Sequence, residues 1–221
     1  ITLNKPNMAN AQDTALLYEL NDAFDHAAHD DDIRVIILAA NGKHFSAGHD
    51  LSETDGHGAM RTHETVAPVC GFGCAGAEAQ MAREEEIYLG FSDRWRNIPK
   101  PTIAAVQGKC IAGGLMLAWP CDIIIAADDA AFADPTVSFG VCGHEYFTHV
   151  WEVGIRKAKE MLFTSDEIKA DDALRLGMVN QVVPRAELMN ATLAMARKIA
   201  AKSRFALKLT KLAANGVQDA Q

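Results

Sequence analysis

Apolar positions along the first two thirds of the chain follow two different periods. Over residues 12–28 they recur about every 3.6 residues, which predicts an amphipathic helix. The runs 33–40, 103–106 and 121–127 are almost continuously apolar and rich in isoleucine, valine and alanine, which is typical of strands buried on both faces. A second helix is predicted over residues 78–97. This alternation predicts an α/β fold with parallel strands and crossover helices.

The pattern after residue 154 is mostly helical. Four helices and one strand are predicted there, over residues 156–163, 171–176, 179–183 (the strand), 185–202 and 203–214. A tail of this length has too little apolar surface for a core of its own, so we expect it to dock on its own body or on a neighbouring subunit. The sequence therefore predicts a core, residues 1–154, and a mostly helical region, residues 155–221.

Two bends that contain glycine follow buried strands. One, Ala112-Gly113-Gly114, opens a helix, and the other lies between Phe45 and Leu51. Backbone N–H groups at a helix start have no intrahelical partner, and glycine lets another atom approach them closely. Together the bends favour a site that holds an oxyanion. The glycine pair alone has a second interpretation, which is close packing of the helix against its neighbours.

Composition excludes several classes of protein. The chain has 221 residues, 49% of them hydrophobic and 23% charged, which suits one large core with or without a small appendage. Its net charge of −8 argues against a nucleic-acid partner. The five cysteines are odd in number and lie in no metal-ligand spacing, so we expect a reducing, cytoplasmic setting.

No membrane span and no metal site are predicted. The sequence contains no signal peptide and no apolar run of about 18 residues. Its start reads directly as a strand, so we expect the natural termini to lie beyond both ends. His57 and His63 lie in the polar, glycine-rich stretch 52–76, where we expect them to be solvated.

With the two bends placed, the sequence resembles the crotonase (enoyl-CoA hydratase/isomerase) superfamily. The segments that carry the resemblance occur in order over nearly the whole chain: residues 1–6 with 10–11, 45–51, 99–108, 112–114, 121–122, 131–135, 173–179 and 196–200. The resemblance implies a spiral of β-β-α turns and a C-terminal helical trimerisation region, with homotrimers often paired into hexamers. It also implies an acyl-CoA thioester as substrate, so no separate cofactor is expected.

The resemblance assigns roles to the bends. It implies that the N–H groups of Ala47 and Gly113 hold the thioester oxygen as catalytic groups. The other residues expected to bind the substrate, including its CoA phosphates, are Gly48, His49, Asp50, Gly114, Lys5 and Lys43, with Lys208 and Lys211 from the tail. His49 contributes either its backbone alone or its ring as well. Asp50 either accepts a hydrogen bond from the adenine amine or caps the following helix.

The family's hydratases use two glutamates for general acid–base work, and this sequence has neither. Met116, three residues after Gly113, stands at one position, and Thr136 stands at the other. Neither side chain can act as a carboxylate base, so we expect both only to line the substrate. The ordinary two-glutamate mechanism is therefore not open to these positions.

A substitute base is expected in the segment 140–146. Glu145 is the leading candidate, with Tyr146 or His144 as its helper. The alternative role for Glu145 is to complement the dipole of the helix that follows.

Three functions follow, in this order of preference. The first is an acyl-CoA enzyme of the hydratase or isomerase type, with Glu145 as its base. The second is another reaction on the same scaffold, such as thioester or carbon–carbon hydrolysis, decarboxylation or dehalogenation, and a histidine-assisted form would make His49 or His144 essential. The third is a non-catalytic acyl-CoA binder or an assembly subunit.

Overall fold

The computed structural model describes residues 1–53, 56–141 and 146–220, and the strands within them form two sheets. These strands are β1 (Thr2–Leu3), β2 (Ile36–Ala40), β3 (Thr102–Val106), β4 (Lys109–Ile111), β5 (Ile123–Ala127), β6 (Ala131–Ala133), β7 (Ile168–Lys169) and β8 (Gln181–Val183). The first sheet is parallel throughout, in the order β1-β2-β3-β5-β8. The second sheet has the order β4-β6-β7, and its β7 runs antiparallel to β6.

Helices connect most successive strands. They are α1 (Thr14–His29), α2 (Gly56–Met60), α3 (Ala77–Glu84), α4 (Phe91–Arg96), α5 (Gly113–Ala118), α6 (His149–Val153), α7 (Ile155–Thr164), α8 (Ala170–Leu176), α9 (Leu188–Ala200) and α10 (Arg204–Asp219). A π-helical segment, Glu85–Gly90, joins α3 to α4. Short 3₁₀ helices lie at Pro6–Met8, Thr136–Phe139 and Arg185–Glu187. Within the described residues, no helix combines the length and apolar character needed to cross a membrane.

Successive strands step from the first sheet to the second. β3 is followed by β4 and α5, and β5 is followed by β6 and the helices beyond it. These two turns each add one strand to each sheet before a helix returns the chain. The predicted α/β fold class, with its β-β-α turns, is confirmed. The apolar pattern does not predict β4 and β7, because strands of three and two residues are too short to show a period.

The first sheet separates two apolar cores. On β3, Ala104 and Val106 face the larger core, whereas Ile103 and Ala105 face the smaller one. The smaller core is completed by α9, which places Leu188 against the sheet. Because successive side chains of a strand point to opposite faces, burial of both faces produces the continuous apolar runs in the sequence.

The region after residue 154 belongs to the same body as the rest. It supplies β7 and β8 to the two sheets and α9 to the smaller core. The last helix is held by Lys211, whose Nζ donates to Asp122 Oδ2 (2.9 Å) and to the Lys100 carbonyl (3.1 Å). The tail therefore docks on its own chain, while the division at residue 154 and the trimerisation role stay predictions.

The π-helical segment contains a buried carboxylate whose oxygens are all paired. Glu86 accepts hydrogen bonds from the N–H groups of Val66 (2.7 Å) and Ala67 (2.8 Å) and from the hydroxyl of Tyr18 (3.1 Å). Burial and the Glu86 charge raise the pKa of Tyr18. This network links the long connection after α2 to α1 and to the π-helical segment. The π-helical segment packs against the bend between Phe45 and Leu51.

Candidate active site

The two bends meet backbone to backbone. Ser46 donates its N–H to the Lys109 carbonyl (3.1 Å) and accepts from the Ile111 N–H (3.0 Å). A Cβ added at Gly114 would stand 2.6 Å from the Ser46 carbonyl oxygen, and one at Gly48 would stand 2.7 Å from that of Ile111. Both glycines are therefore required for the close approach, and the packing interpretation applies to Gly114.

The prediction for Ala47 is wrong. Its N–H donates to the Ala9 carbonyl at 2.9 Å, so this amide is not free to hold a thioester oxygen. Ala9 and Asn10 both adopt left-handed backbone conformations, with φ of 52° and 53°, and this turn brings the Ala9 carbonyl back over the bend. The amide is thus already hydrogen-bonded to a residue almost forty positions earlier in the chain.

Between Phe45 and Asp50, the amide of His49 has no hydrogen-bond acceptor among the described residues. Its neighbours both bond to Gln12, because the Gly48 carbonyl accepts from Gln12 N–H and the Asp50 N–H donates to the Gln12 carbonyl, each at 2.8 Å. In an extended segment the peptide groups alternate in direction, so the His49 N–H faces away from Gln12. Gly113 lies beside this bend, since a Cβ at Gly48 would stand 3.2 Å from its nitrogen.

Within the described chain, the N–H groups of His49 and Gly113 have no hydrogen-bond acceptor. The site therefore offers two backbone donors on two bends that are packed together. Gly113 keeps the position that the resemblance implies, and His49 takes the position assigned to Ala47.

The imidazole of His49 also enters the site. Its Nδ1 lies 2.8 Å from where a Cβ of Gly113 would stand, and its ring stacks on Tyr88 with centroids 3.9 Å apart. Its Nε2 lies 3.9 Å from Glu84 Oε2. The geometry favours the alternative in which the ring of His49 contributes to the site as well as its backbone.

The two positions of the missing glutamates are occupied as the sequence indicates. Met116 is buried on α5, where its carbonyl accepts from the Ser92 hydroxyl (3.0 Å). The Thr136 hydroxyl is buried, with no hydrogen-bond partner in the part of the chain that is described. Asp134 bonds to both sides, accepting from the Thr136 N–H (3.2 Å) and from His149 Nε2 (2.8 Å).

The Asp134–His149 pair is almost fully buried. Burial acts to raise the pKa of Asp134, but the hydrogen bonds from His149 and Thr136 outweigh it, so this pKa lies below its ordinary value. Asp134 stabilises a turn through its bond from the Thr136 N–H, and the bond to His149 adds an anchor for α6.

The predicted base segment is only partly described. Glu145 and His144 lie outside the described residues. Tyr146 is buried, which raises the pKa of its hydroxyl, and it lines a cavity of about 510 Å³ with Trp119 and Glu152. This cavity lies at the C-terminal end of α5 and includes no residue of the two bends. Burial raises the pKa of Glu152 there to about 7.

The residues expected around the CoA moiety have local partners. Asp50 accepts from the N–H (3.0 Å) and the hydroxyl (2.6 Å) of Ser52, and these bonds lower its pKa. It thus stabilises a turn, since α2 begins only at residue 56. Lys5 Nζ lies 2.8 Å from Asp13 Oδ2 and 3.7 Å from Asp50 Oδ2. Lys43 is exposed next to the bend between Phe45 and Leu51.

Other candidates fall away from the site. The bond of Lys211 to Asp122 commits this lysine to its own chain. The ring of His63 stacks on Tyr18 with centroids 4.0 Å apart, and the side chain of His57 is not described. Among the described residues, no group of three or more histidine, cysteine, aspartate or glutamate side chains could hold a metal ion.

Comparison with known proteins defines the class. A profile of the enoyl-CoA hydratase/isomerase family matches residues 1–69 and 72–220, and the chain belongs to that family. A Mycobacterium tuberculosis protein named "Putative enoyl-CoA hydratase EchA13" is 44% identical over 100% of this chain and 70% of its own length. The short-chain-enoyl-CoA hydratase of Clostridium acetobutylicum is 35% identical over 97% of this chain and 76% of its own.

The fold comparison agrees. A crystal structure from Mycobacterium thermoresistibile, described as a "probable enoyl-CoA hydratase", superposes with a TM-score of 0.88 at 50% identity. The match covers 100% of this chain and 84% of that one. The chain is thus shorter than each of these three proteins.

Two residues of the site give little signal in the sequence. Gln12 is hidden at the start of the α1 pattern, and Glu84 reads as one polar position on a helix. The only available signal for Gln12 is its place directly after Asn10-Ala11, which belongs to the resemblance.

Replacing Gly114 by alanine should destabilise the protein by roughly 1–3 kcal/mol, because the new Cβ meets a backbone oxygen that cannot move alone. Urea unfolding at one protein concentration measures this change. Gly216→Ala on α10 is the matched control, since a Cβ there meets nothing within 4 Å, and we expect it to be neutral or slightly stabilising. Equal effects of the two changes would contradict the packing role.

Asp134→Asn should lower the free energy of unfolding at neutral pH by roughly 2 kcal/mol, because a buried charged hydrogen-bond acceptor is lost. Since the folded-state pKa of Asp134 is lowered, its contribution is present above the ordinary carboxyl pKa and is lost as pH falls below about 4. The gap between wild type and variant should therefore close on acidification. Unfolding curves at pH 7 and below pH 4 measure it, and a constant gap would be the opposite result.

The free energy of unfolding of the wild type should fall as pH rises, and Glu152→Gln should abolish this fall. The folded protein holds the Glu152 proton up to about pH 7, whereas the unfolded chain releases it near pH 4.3, so wild-type stability falls across this range. The variant should be more stable than wild type at pH 8 and not at pH 4. Glu160→Gln, an exposed glutamate on α7, is the control and should change neither value.

Proposed function

We propose that the protein binds an enoyl-CoA thioester and holds its carbonyl oxygen between the N–H groups of His49 and Gly113. The observation that carries this proposal is the pair of amides with no acceptor among the described residues, on two bends that are packed backbone to backbone. A thioester oxygen gains negative charge when water adds at the β carbon or when a proton leaves the α carbon. Two fixed donors stabilise that charge, and loss of one such donor typically costs about 3 kcal/mol.

The reaction that we propose is hydration of a 2-enoyl thioester or migration of its double bond. The names of the relatives support this class, and the enolate that both reactions share suits a pair of backbone donors. Because Met116 and Thr136 carry no carboxylate, the proton must move through another group. Glu145 remains a candidate from the sequence, and Glu145→Gln tests it. No separate cofactor is needed, since coenzyme A is part of the substrate.

The CoA moiety is proposed to lie along the bend between Phe45 and Leu51. Gly48 and the backbone of His49 and Asp50 would line it, and Lys43, with Lys5 behind it, would face the phosphates. Asp50 and Lys5 are already held by Ser52 and Asp13, so this surface is formed before the substrate arrives.

A homotrimer, alone or paired as a hexamer, is the proposed assembly. Large apolar side chains stand exposed on α10, among them Phe205 (71%), Leu212 (65%) and Val217 (64%), and burial between copies would remove them from water. Light scattering after size exclusion measures the mass. A monomer at micromolar concentration would contradict this assembly.

A non-catalytic acyl-CoA binder is the second candidate function, favoured by Met116 and Thr136. The experiment that separates the two follows crotonyl-CoA and a 3-enoyl-CoA through their ultraviolet absorbance and measures binding of butyryl-CoA by calorimetry. Turnover of either enoyl ester supports the enzyme. Binding without turnover across a panel of acyl chains supports the binder, and no binding contradicts both.

Gly113→Pro should lower kcat for the enoyl ester by roughly 100-fold or more relative to Gly113→Ala, because proline removes one of the two donors. Gly113 is the first residue of α5, where proline is tolerated. The alanine variant is the matched control, since it also adds a Cβ against Gln12 and His49 but keeps the N–H. Circular dichroism checks the fold, and equal rates of the two variants would argue against the Gly113 donor.

A further inference from the structure

We propose that the imidazole of His49, held by Glu84, is the group that moves the proton in this site, in place of the two glutamates that the sequence lacks. The inference rests on the proposed function, since it names the acid–base group for the same thioester. His49 would then serve twice, with its backbone N–H on the oxyanion and its ring on the proton.

The ring of His49 spans the space between Gly113 and α3. One edge faces Gly113, with Nδ1 and Cε1 at 2.8 and 3.1 Å from where a Cβ of that glycine would stand. The opposite nitrogen, Nε2, lies 3.9 Å from Glu84 Oε2. The face stacks on Tyr88 at an interplanar angle of 29°, which fixes the plane of the ring. The imidazole therefore lies next to one oxyanion amide while its own residue supplies the other.

Glu84 is arranged to orient this ring. Its Oε1 accepts from Gln80 Nε2 (2.5 Å) and lies 3.5 Å from an Arg83 nitrogen. Its Oε2 is buried and has no hydrogen-bond partner in the described chain, which is costly for a carboxylate oxygen. A proton on His49 Nε2 would satisfy Oε2 once the 3.9 Å gap closes, as catalytic hydrogen bonds often do when a substrate binds. This tautomer leaves the Nδ1 lone pair on the Gly113 side.

A second unpaired acceptor lies at the same point. Gln12 Oε1 is buried, has no partner in the described chain, and lies 2.8 Å from the position of a Gly113 Cβ. Its orientation is fixed, because Gln12 Nε2 donates to Ser46 Oγ (2.9 Å), which in turn donates to the Asn10 carbonyl (2.9 Å). Two acceptors, Gln12 Oε1 and His49 Nδ1, thus flank one glycine, and a water molecule has the two donors that they require.

The proposed reaction balances with water as the only co-reactant. His49 Nδ1 removes a proton from water as the water oxygen bonds to the β carbon of a 2-enoyl thioester. The π electrons move to the thioester oxygen, and the enolate is held by the two amides. The imidazolium then returns the proton to the α carbon, which gives a 3-hydroxyacyl thioester. The same group can take a proton from the α carbon of a 3-enoyl thioester and return it to the γ carbon.

The charged groups around the ring come from two elements. Glu84 lies 3.9 Å from it on α3, with Arg83 beside Glu84, and Tyr88 stacks on it from the π-helical segment. Arg83 is also paired with Glu53, at 2.9 Å, on its far side. Glu84 is therefore the group whose removal should alter the acid limb of the rate profile, because it is the carboxylate next to the imidazolium.

The test compares the full chain with His49→Ala and Glu84→Gln. His49→Ala keeps the backbone N–H, so binding of butyryl-CoA should stay within about threefold, while kcat should fall by roughly 100-fold or more. Exchange of the α protons of butyryl-CoA with deuterated water, followed by NMR, should be lost with it. Glu84→Gln should lower kcat with little change in KM and move the acid limb of kcat/KM to lower pH.

Two matched controls guard against general damage. His63→Ala removes another histidine that stacks on a tyrosine, and Glu85→Gln alters the next glutamate along the same helical stretch. Both should keep wild-type rates and binding.

The outcomes separate this inference from the proposed function. If the wild type turns over an enoyl ester and His49→Ala is equally fast, or if only Glu145→Gln abolishes the rate, the role of His49 is overturned and the function stands. If the wild type binds butyryl-CoA but neither exchanges its α protons nor turns over an enoyl ester, both are overturned.

Discussion

The site depends on the contact between two bends that lie side by side at one edge of the parallel sheet. β2 and β3 are neighbours; β2 leads into the bend between Phe45 and Leu51, and β3 leads through β4 into the bend at Gly113, with Cys110 of β4 bridged to Ser46. Parallel neighbours end at the same edge, so the chain delivers both bends to one place. Gly48 and Gly114 then let the backbones approach within a distance that no side chain would permit. The position of the two free amides follows from this approach.

Four buried polar side chains in this molecule fall into two kinds. Glu86 and Asp134 have partners for both carboxylate oxygens, and they anchor a long connection and α6. Gln12 and Glu84 are also buried, yet each leaves one oxygen without a partner among the described residues, and both oxygens lie beside the bends. Because an unpaired buried acceptor is costly, a folded protein keeps one mainly where a ligand or water completes it. For these four residues, the distinction separates side chains that anchor the fold from those that are candidates for function.

The longer helices and strands, which show a clear apolar pattern, could be predicted from the sequence. The convergence of the two bends could be predicted as well. The identity of the second donor could not. Whether Ala47 or His49 keeps a free amide is decided by the segment 9–12, which folds back over the bend and pairs with both sides of it. Such a pairing between distant segments leaves no local pattern. The role of Glu84 could not be predicted for a related reason. Its partner His49 lies 35 positions earlier, and only the fold brings the two together.

The two cores on either face of the first sheet also constrain how this kind of protein can evolve. β3 is shared by both, and one of its faces is covered by side chains from α9, late in the chain. Recombination that exchanged the last third between relatives would have to preserve the shapes of Ile103 and Ala105 together with those of the helix above them. The segment after residue 154 therefore packs as part of the same core as the sheet.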